Sequence, residues 1–269
     1  MAQEIGTEDS TLDNRGADGI CRVLHGFQLA TAQFLIFPIN LVMALWLTLN
    51  GCLILLAYLL GSVPTGYWAG RLLQGIDIRT QGSGSTGATN VLRTLGTVPA
   101  IAVLVIDILK GVGAIALVQW VYRADWLPRL VPDFLSPSDW LPWMVTLTGI
   151  AALLGHSKSI FLGFTGGKSV ATSLGILLAL NWLVGLGTLG IFLVMLGLSR
   201  IVSLSSITGA IAVSGLMIAL HQPLPYVLFG IAGGIYVIVR HRTNIQRLFA
   251  GTEPRLGQPL PETAEPPAT

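Results

Sequence analysis

The stretch TVPAIAVLVIDILKGVGAIALVQWV, residues 97–121, decides the fold. It is apolar over most of its length, and Asp107 and Lys110 are its two ionisable residues. About 20 such residues, rising roughly 1.5 Å each, cross the hydrocarbon core of a bilayer as one helix. Asp107 and Lys110 stand three apart and so share a helical face. An ionisable group at that depth must be paired inside a bundle. The two residues therefore read either as an internal pair joining helices or as direct participants in substrate chemistry.

The rest of the chain repeats the pattern. Of its 269 residues 52% are hydrophobic and 10% charged, and the mean hydropathy is +0.72. A soluble domain carries about 25% charged residues, so most of the outer surface must face lipid. Apolar spans are expected near 46–70, 97–121, 140–156, 168–184, 185–201, 203–220 and 224–240. The fold class is all-α: a polytopic membrane protein of about seven transmembrane helices. Segments 71–96, 156–168 and 240–257 hold Arg71, Arg79, Arg93, Lys158, Lys168, Arg240, Arg242, Arg247 and Arg255. The loop 122–139 sets Arg123 and Arg129 against Asp125, Asp133 and Asp139. The positive-inside rule places the three basic segments in the cytoplasm, with the N-terminus outside and the C-terminus cytoplasmic. Lys168 and the basic tail share a side only if 168–201 is two spans rather than one.

Outside the spans, residues 1–26 form a polar, acidic opening unlike a cleaved secretory signal, and 1–42 as a whole is an N-terminal extension. Met43 begins an ordinary membrane-protein start, so 1–42 is expected to be dispensable or upstream of the true initiator. The membrane domain is 43–250, and the tail 251–269, rich in Pro, Thr and Glu, is expected to be disordered. Cys21 and Cys52 lie far apart and read as small apolar residues. A net charge of +2 without a basic run points away from nucleic acid.

Four polar segments interrupt the apolar pattern. GSGSTGATNVLRTLG, 82–96, offers Gly-rich backbone, the hydroxyls of Ser83, Ser85, Thr86 and Thr89, and Asn90 one turn before Arg93. The Arg fork suits phosphate. GHSKSIFLGFTGGKSVATSLG, 155–175, places Gly166 and Gly167 before Lys168 at a helix start, which is an anion-site pattern. It is not a P-loop, because Leu162 stands where that motif needs glycine. His156 reads as a satisfied interfacial histidine. SRIVSLSS, 199–206, supplies Ser203 and Ser206, which alone read as hydroxyls bonded back to their helix. RHRTNIQRLFAGTEPRLG, 240–257, supplies His241 and Asn244, three apart and expected on one helical face. His241 is the candidate acid or base.

No His is followed five residues later by Asp, so the base–orienter pair of the large glycerolipid acyltransferase group is missing. No acidic cluster suits a metal-dependent phosphotransferase. A carrier of phosphorylated solutes would be expected to show internal repeats between the halves, and none is convincing.

The strings GSVPTGYWAG (61–70), GSGSTGATNVLRTLG (82–96), GHSKSIFLGFTGGKSVATSLG (155–175), SRIVSLSS (199–206) and HRTNIQRLFAGTE (241–253) together resemble the bacterial acyl-phosphate:glycerol-3-phosphate acyltransferase family. The resemblance spans residues 46–257. It implies an inner-membrane enzyme with its active site facing the cytoplasm, which uses no cofactor or metal. Such an enzyme would transfer a fatty acyl group from acyl phosphate to the 1-hydroxyl of glycerol 3-phosphate, giving lysophosphatidate and inorganic phosphate, in surroundings of membrane lipid. By motif, Ser83 and Arg93 match polar and cationic members of the first signature, with Asn90 in support. Gly166, Gly167 and Lys168 match the phosphate-binding stretch, Ser203 or Ser206 matches a serine at the fifth–sixth helix junction, and His241, Asn244 and Glu253 match the last signature. Departures are Ser157-Lys158-Ser159 where the family often has Asn-Phe-Pro, Ser169 where it often has Gly, and Thr243 where it often has Glu. Direct attack by the glycerol hydroxyl on the activated acyl phosphate is expected, with the proton going to His241 or to a substrate phosphate oxygen.

Overall fold

The structure, a computed structural model, describes residues 41–258. These are helical almost throughout. Helix α1 covers 41–62 and is followed by α2 (Thr65–Gln74), α3 (Ala88–Leu95), α4 (Thr97–Tyr122), α5 (Pro137–Ser157), α6 (Val170–Leu180), α7 (Trp182–Ser199), α8 (Val202–Ala219), α9 (Leu224–Arg240) and α10 (Arg242–Phe249). Four stretches are long and apolar enough to cross a membrane: Leu41–Gln74, Thr97–Tyr122, Trp182–Ser199 and Val202–Ala219. A fifth joins them if α9 and α10, bent by 61° at their junction, count as one. Leu47, Leu55, Ile101, Val194, Leu198 and Ile211 point outward and are exposed, as a lipid-facing bundle requires. The chain is therefore an all-α, polytopic membrane-type fold.

Two boundaries differ from the sequence reading. The first span is not one continuous helix over 46–70, because Pro64 lacks an N–H and disfavours helical backbone at Val63. The freed Val63 carbonyl accepts Lys110 Nζ at 3.1 Å, and the Ser62 carbonyl accepts Ser159 Oγ at 2.6 Å. Further on, the break in the apolar run falls at Asn181 rather than between 184 and 185. Asn181 Oδ1 accepts the Leu183 and Val184 amides at 2.9 and 3.2 Å, so it caps α7. Helix α6 is left with 11 residues.

Packing explains where the polar segments go. Helix α4 lies against α6, α8 lies between α7 and α9, and α5 contacts both α4 and α9. The α4–α6 approach demands glycine: a Cβ on Gly111 would overlap the Thr172 carbonyl, and one on Gly175 the Ile108 carbonyl. Small residues permit such backbone contact where lipid supplies no hydrophobic drive. The main core gathers Trp46, Ile115, Met144, Ile176, Met217 and Phe229. At one end of it Tyr122 Oη donates to Asn50 Oδ1 at 2.6 Å.

The ordered chain also continues past the boundary expected at 250. Glu253 is held by three side chains (below), and the Leu256 amide donates to the Arg200 carbonyl at 2.7 Å. The expected disorder at 251–258 is thereby replaced by packing against α7, α8 and α10. The readings of residues 1–40, Cys21 included, and of 259–269 lie outside the described residues.

Candidate active site

One cavity of about 630 Å³ collects polar residues from six parts of the chain. Ser83, Asn90 and Arg93 enter from the α2–α3 loop and α3, Asp107 from α4, and His156 from α5. Lys168 and Ser169 come from the loop before α6, Ser203 and Ser206 from α8, and His241, Asn244 and Glu253 from the C-terminal end. Its remaining wall is apolar, with Leu104, Ile108, Leu174, Leu189, Phe192 and Val213 among the contributors.

Asn90 organises the first motif rather than facing a ligand. Its Nδ2 donates to the carbonyls of Ile78, Gln81 and Ser85 at 3.1, 3.1 and 2.9 Å. Its Oδ1 accepts the Ser83 amide at 2.9 Å. Both Nδ2 hydrogens and one Oδ1 lone pair are used in folding the 78–85 loop over α3. That fixes the start of α3, whose next turn carries Arg93. Among the described residues the Arg93 guanidinium has no hydrogen-bonded partner, and burial pulls its pKa below the ordinary value against a partial opposing pull from Glu253.

A second network surrounds Lys168. Its Nζ donates to Asn244 Oδ1 at 2.6 Å, and Asn244 Nδ2 donates to Glu253 Oε1 at 2.6 Å. The same Oε1 accepts Ser203 Oγ at 2.7 Å, and Oε2 accepts Arg247 Nε at 2.7 Å. Burial pushes the Glu253 pKa up, but the bonds from Asn244, Ser203 and Arg247 outweigh it and hold the carboxyl below its ordinary value. Burial pulls Lys168 down to about 8; Glu253 opposes this, while Arg247, Arg93 and Arg240 add to it. Around Lys168, Glu253 is thus the one opposing charge against Arg93, Arg240 and Arg247, a surplus of positive charge suited to an anion. Ser206 Oγ donates back to the Val202 carbonyl at 2.8 Å, as a helix-bonded serine does.

His241 sits at the α9–α10 bend, not on a single helical face with Asn244, yet both line the cavity. Its Nδ1 lies 2.7 Å from the Val237 carbonyl, which can only accept, so Nδ1 carries the proton. Nε2 therefore keeps its lone pair. Burial lowers the ring's pKa to about 4, with Lys168 and Arg240 adding to the effect against Val237 and Glu253. The imidazole is neutral near pH 7 and competent as a base.

The two glycines before Lys168 serve a different purpose from the one their motif suggests. Neither lines the main cavity. The Gly167 amide donates to the His156 carbonyl at 3.2 Å, so it is not a free anion donor. A Cβ at 167 would overlap His156 Nε2, and one at 166 the His156 carbonyl. Close approach to His156 is what requires glycine here. Ser169 adopts the left-handed conformation with φ 64°, which explains a preference for glycine at that position. Its Oγ donates to the Leu153 carbonyl at 2.8 Å and offsets part of the strain.

Asp107 and Lys110 form an internal pair at 2.9 Å, the first of the two readings of their spacing. Arg240, read in the sequence as a topology anchor, donates through Nη2 to the Gly167 carbonyl at 3.0 Å. It braces the loop that carries Lys168. Sequence gave no way to tell that arginine from its neighbours Arg242 and Arg247.

The family model described as glycerol-3-phosphate acyltransferase matches residues 51–251. A glycerol-3-phosphate acyltransferase of Trichormus variabilis is 66% identical, the match covering 83% of this chain and 99% of that protein. One from Nostoc sp. is also 66% identical, covering 81% and 96%. The crystal structure of PlsY, an integral membrane glycerol 3-phosphate acyltransferase, in its glycerol 3-phosphate form superposes with a TM-score of 0.67 at 36% identity, covering 77% of this chain and 96% of that one. Its lysophosphatidic acid form gives 0.65 at 35%, covering 77% and 95%.

Proposed function

The chain belongs to the glycerol-3-phosphate acyltransferase family, and on that premise we propose that its cavity carries out acyl transfer between two phosphate-bearing substrates. The enzyme moves an acyl group from acyl phosphate to glycerol 3-phosphate and yields lysophosphatidate and inorganic phosphate. The observation that carries the site assignment is the meeting of Arg93, Lys168 and His241 in one cavity with an apolar wall.

Arg93 and Lys168 bind phosphate groups, and Ser83 Oγ, which makes no other hydrogen bond among the described residues, adds a neutral donor. The acyl chain lies along Leu104, Ile108, Leu174 and Phe192. A glycerol hydroxyl oxygen attacks the acyl carbonyl carbon, the carbonyl-to-phosphate C–O bond breaks, and phosphate departs with its electron pair. The hydroxyl proton passes to His241 Nε2 or to an oxygen of the departing phosphate. A mixed anhydride is activated already, so neither a covalent acyl-enzyme nor a metal is needed.

The architecture read from the sequence completes the proposal: seven spans in the bacterial inner membrane, N-terminus outside, with the cavity's polar end at the cytoplasmic face. The clustering of Arg71, Arg79, Lys158, Arg240 and Arg247 with the motifs supports that orientation. Purified protein in detergent is expected to release phosphate from acyl phosphate only when glycerol 3-phosphate is present. Release without the acceptor, or none with it, would overturn the assignment.

A further inference from the structure

His156 stands apart from the residues so far given roles. It is 7% exposed, lines the same cavity, and makes no side-chain hydrogen bond among the described residues. Its Nδ1 faces Asp107 Oδ1 at 3.7 Å, too long for a hydrogen bond. Such bonds are often long in the free enzyme and tighten with substrate. Asp107 is itself 1% exposed and already oriented: its Oδ1 accepts from Thr65 Oγ1 at 2.6 Å and Lys110 Nζ at 2.9 Å, while Oδ2 has no partner among the described residues. Buried polar groups left without partners are uncommon and call for an explanation.

We propose that His156, oriented by Asp107, binds the non-reacting C2 hydroxyl of the glycerol phosphate and so selects a vicinal diol as acceptor. The carboxylate beside Nδ1 makes that nitrogen the protonated one, leaving Nε2 as an acceptor. An acceptor in this cavity calls for a hydroxyl donor, and of the two substrates only the glycerol carries hydroxyls. There are two such hydroxyls, and the cavity holds two imidazoles with acceptor Nε2 atoms. One, His241, feels the Lys168 charge directly; the other lies against Gly167, the residue before Lys168. A phosphate on Lys168 would thus present one hydroxyl to each. The glycine at 167 gains a second meaning, since a side chain there would displace the His156 ring.

The inference rests on the acyltransferase reading of the cavity, and the experiment separates the two. Acyl phosphate turnover is measured with glycerol 3-phosphate and with 3-hydroxypropyl phosphate, which lacks the C2 hydroxyl. The wild-type protein is expected to prefer the diol by about tenfold in kcat/KM, the scale of one hydrogen bond in a buried site. His156→Phe is expected to lose that preference by slowing only the diol reaction, and His156→Gln, which keeps an acceptor, to retain part of it. Equal use of both acceptors by the wild type, or an equal loss on both in His156→Gln and His156→Phe, would overturn the role of His156 while leaving the acyltransferase reading intact. Absence of turnover with either acceptor would instead overturn that reading, and this inference with it.

Discussion

Replacing Lys168 with methionine keeps the length and apolar stem of the side chain and deletes its charge. At about 4 Å and an effective dielectric near 20, one cation–anion interaction is worth roughly 4 kcal/mol. At about 1.4 kcal/mol per decade, that is up to a thousandfold in kcat/KM. Arg93 and the neighbouring arginines retain part of the field, so a loss between about a hundredfold and a thousandfold is expected. Stability should not fall in parallel, because burial already disfavours the ammonium; its pKa is pulled to about 8. Phosphate release in detergent measures the first quantity and a thermal melt the second. The pH profile adds a third. Lysine is the cation below its pKa, so wild-type kcat/KM should fall as pH rises through about 8. In Lys168→Arg, permanently charged, that limb should vanish. Activity of Lys168→Met within tenfold of wild type, with an unchanged melt, would refute the phosphate clamp.

Other substitutions probe the supporting structure. His241→Ala should abolish an acidic limb that lies near pH 4 in the wild type, since the ring is base-competent only above its depressed pKa; an unchanged limb would assign the proton to substrate phosphate. Glu253→Gln weakens the bonds to Ser203, Asn244 and Arg247, and is expected to cut kcat/KM by about tenfold to a hundredfold and to open 251–258 to proteolysis. Asn90→Ala removes one bond from each of three carbonyls of the 78–85 loop and one from the Ser83 amide, and should lower stability by about 1–3 kcal/mol, read by denaturation in detergent. Ser169→Gly should be close to neutral, because release of left-handed strain and loss of the Leu153 bond are each worth about 1 kcal/mol. Ser169→Val should be clearly destabilising.

Much of the architecture was legible because lipid imposes a simple code. The apolar runs gave α4, α8 and α9 to within a residue or so, since a long apolar segment has few alternatives to a helix. The misplaced breaks share one cause: hydropathy averages over the single polar or imide residue that ends a helix. Pro64 and Asn181 were both visible, and capping chemistry at Asn181 was the signal that would have moved the boundary. The charged members of the site were legible as types, because they stand in the few polar segments that interrupt the apolar runs. Their partners were not. Asn90 looked like a ligand donor and is a loop organiser, which depends on carbonyls that only the fold brings together. Gly166 and Gly167 looked like anion-binding backbone, yet the need for them comes from the His156 carbonyl at 166 and the His156 ring at 167. His156 looked satisfied because nothing in a linear sequence shows Asp107 close by but unbonded. Glu253 fell in a Pro-rich run whose composition argued for disorder, and only its contacts with Ser203, Asn244 and Arg247 reveal otherwise.

The central claim is that segments distant in sequence form one phosphate-binding acyl-transfer cavity. A structure of this protein with glycerol 3-phosphate bound tests it most directly. The account predicts phosphate oxygens within about 3 Å of Lys168 Nζ or the Arg93 guanidinium, with a glycerol hydroxyl toward His241 Nε2. A phosphate seated elsewhere, for example among Arg79, Lys158 and Arg240 in the neighbouring pocket, with Lys168 still bonded only to Asn244, would contradict it.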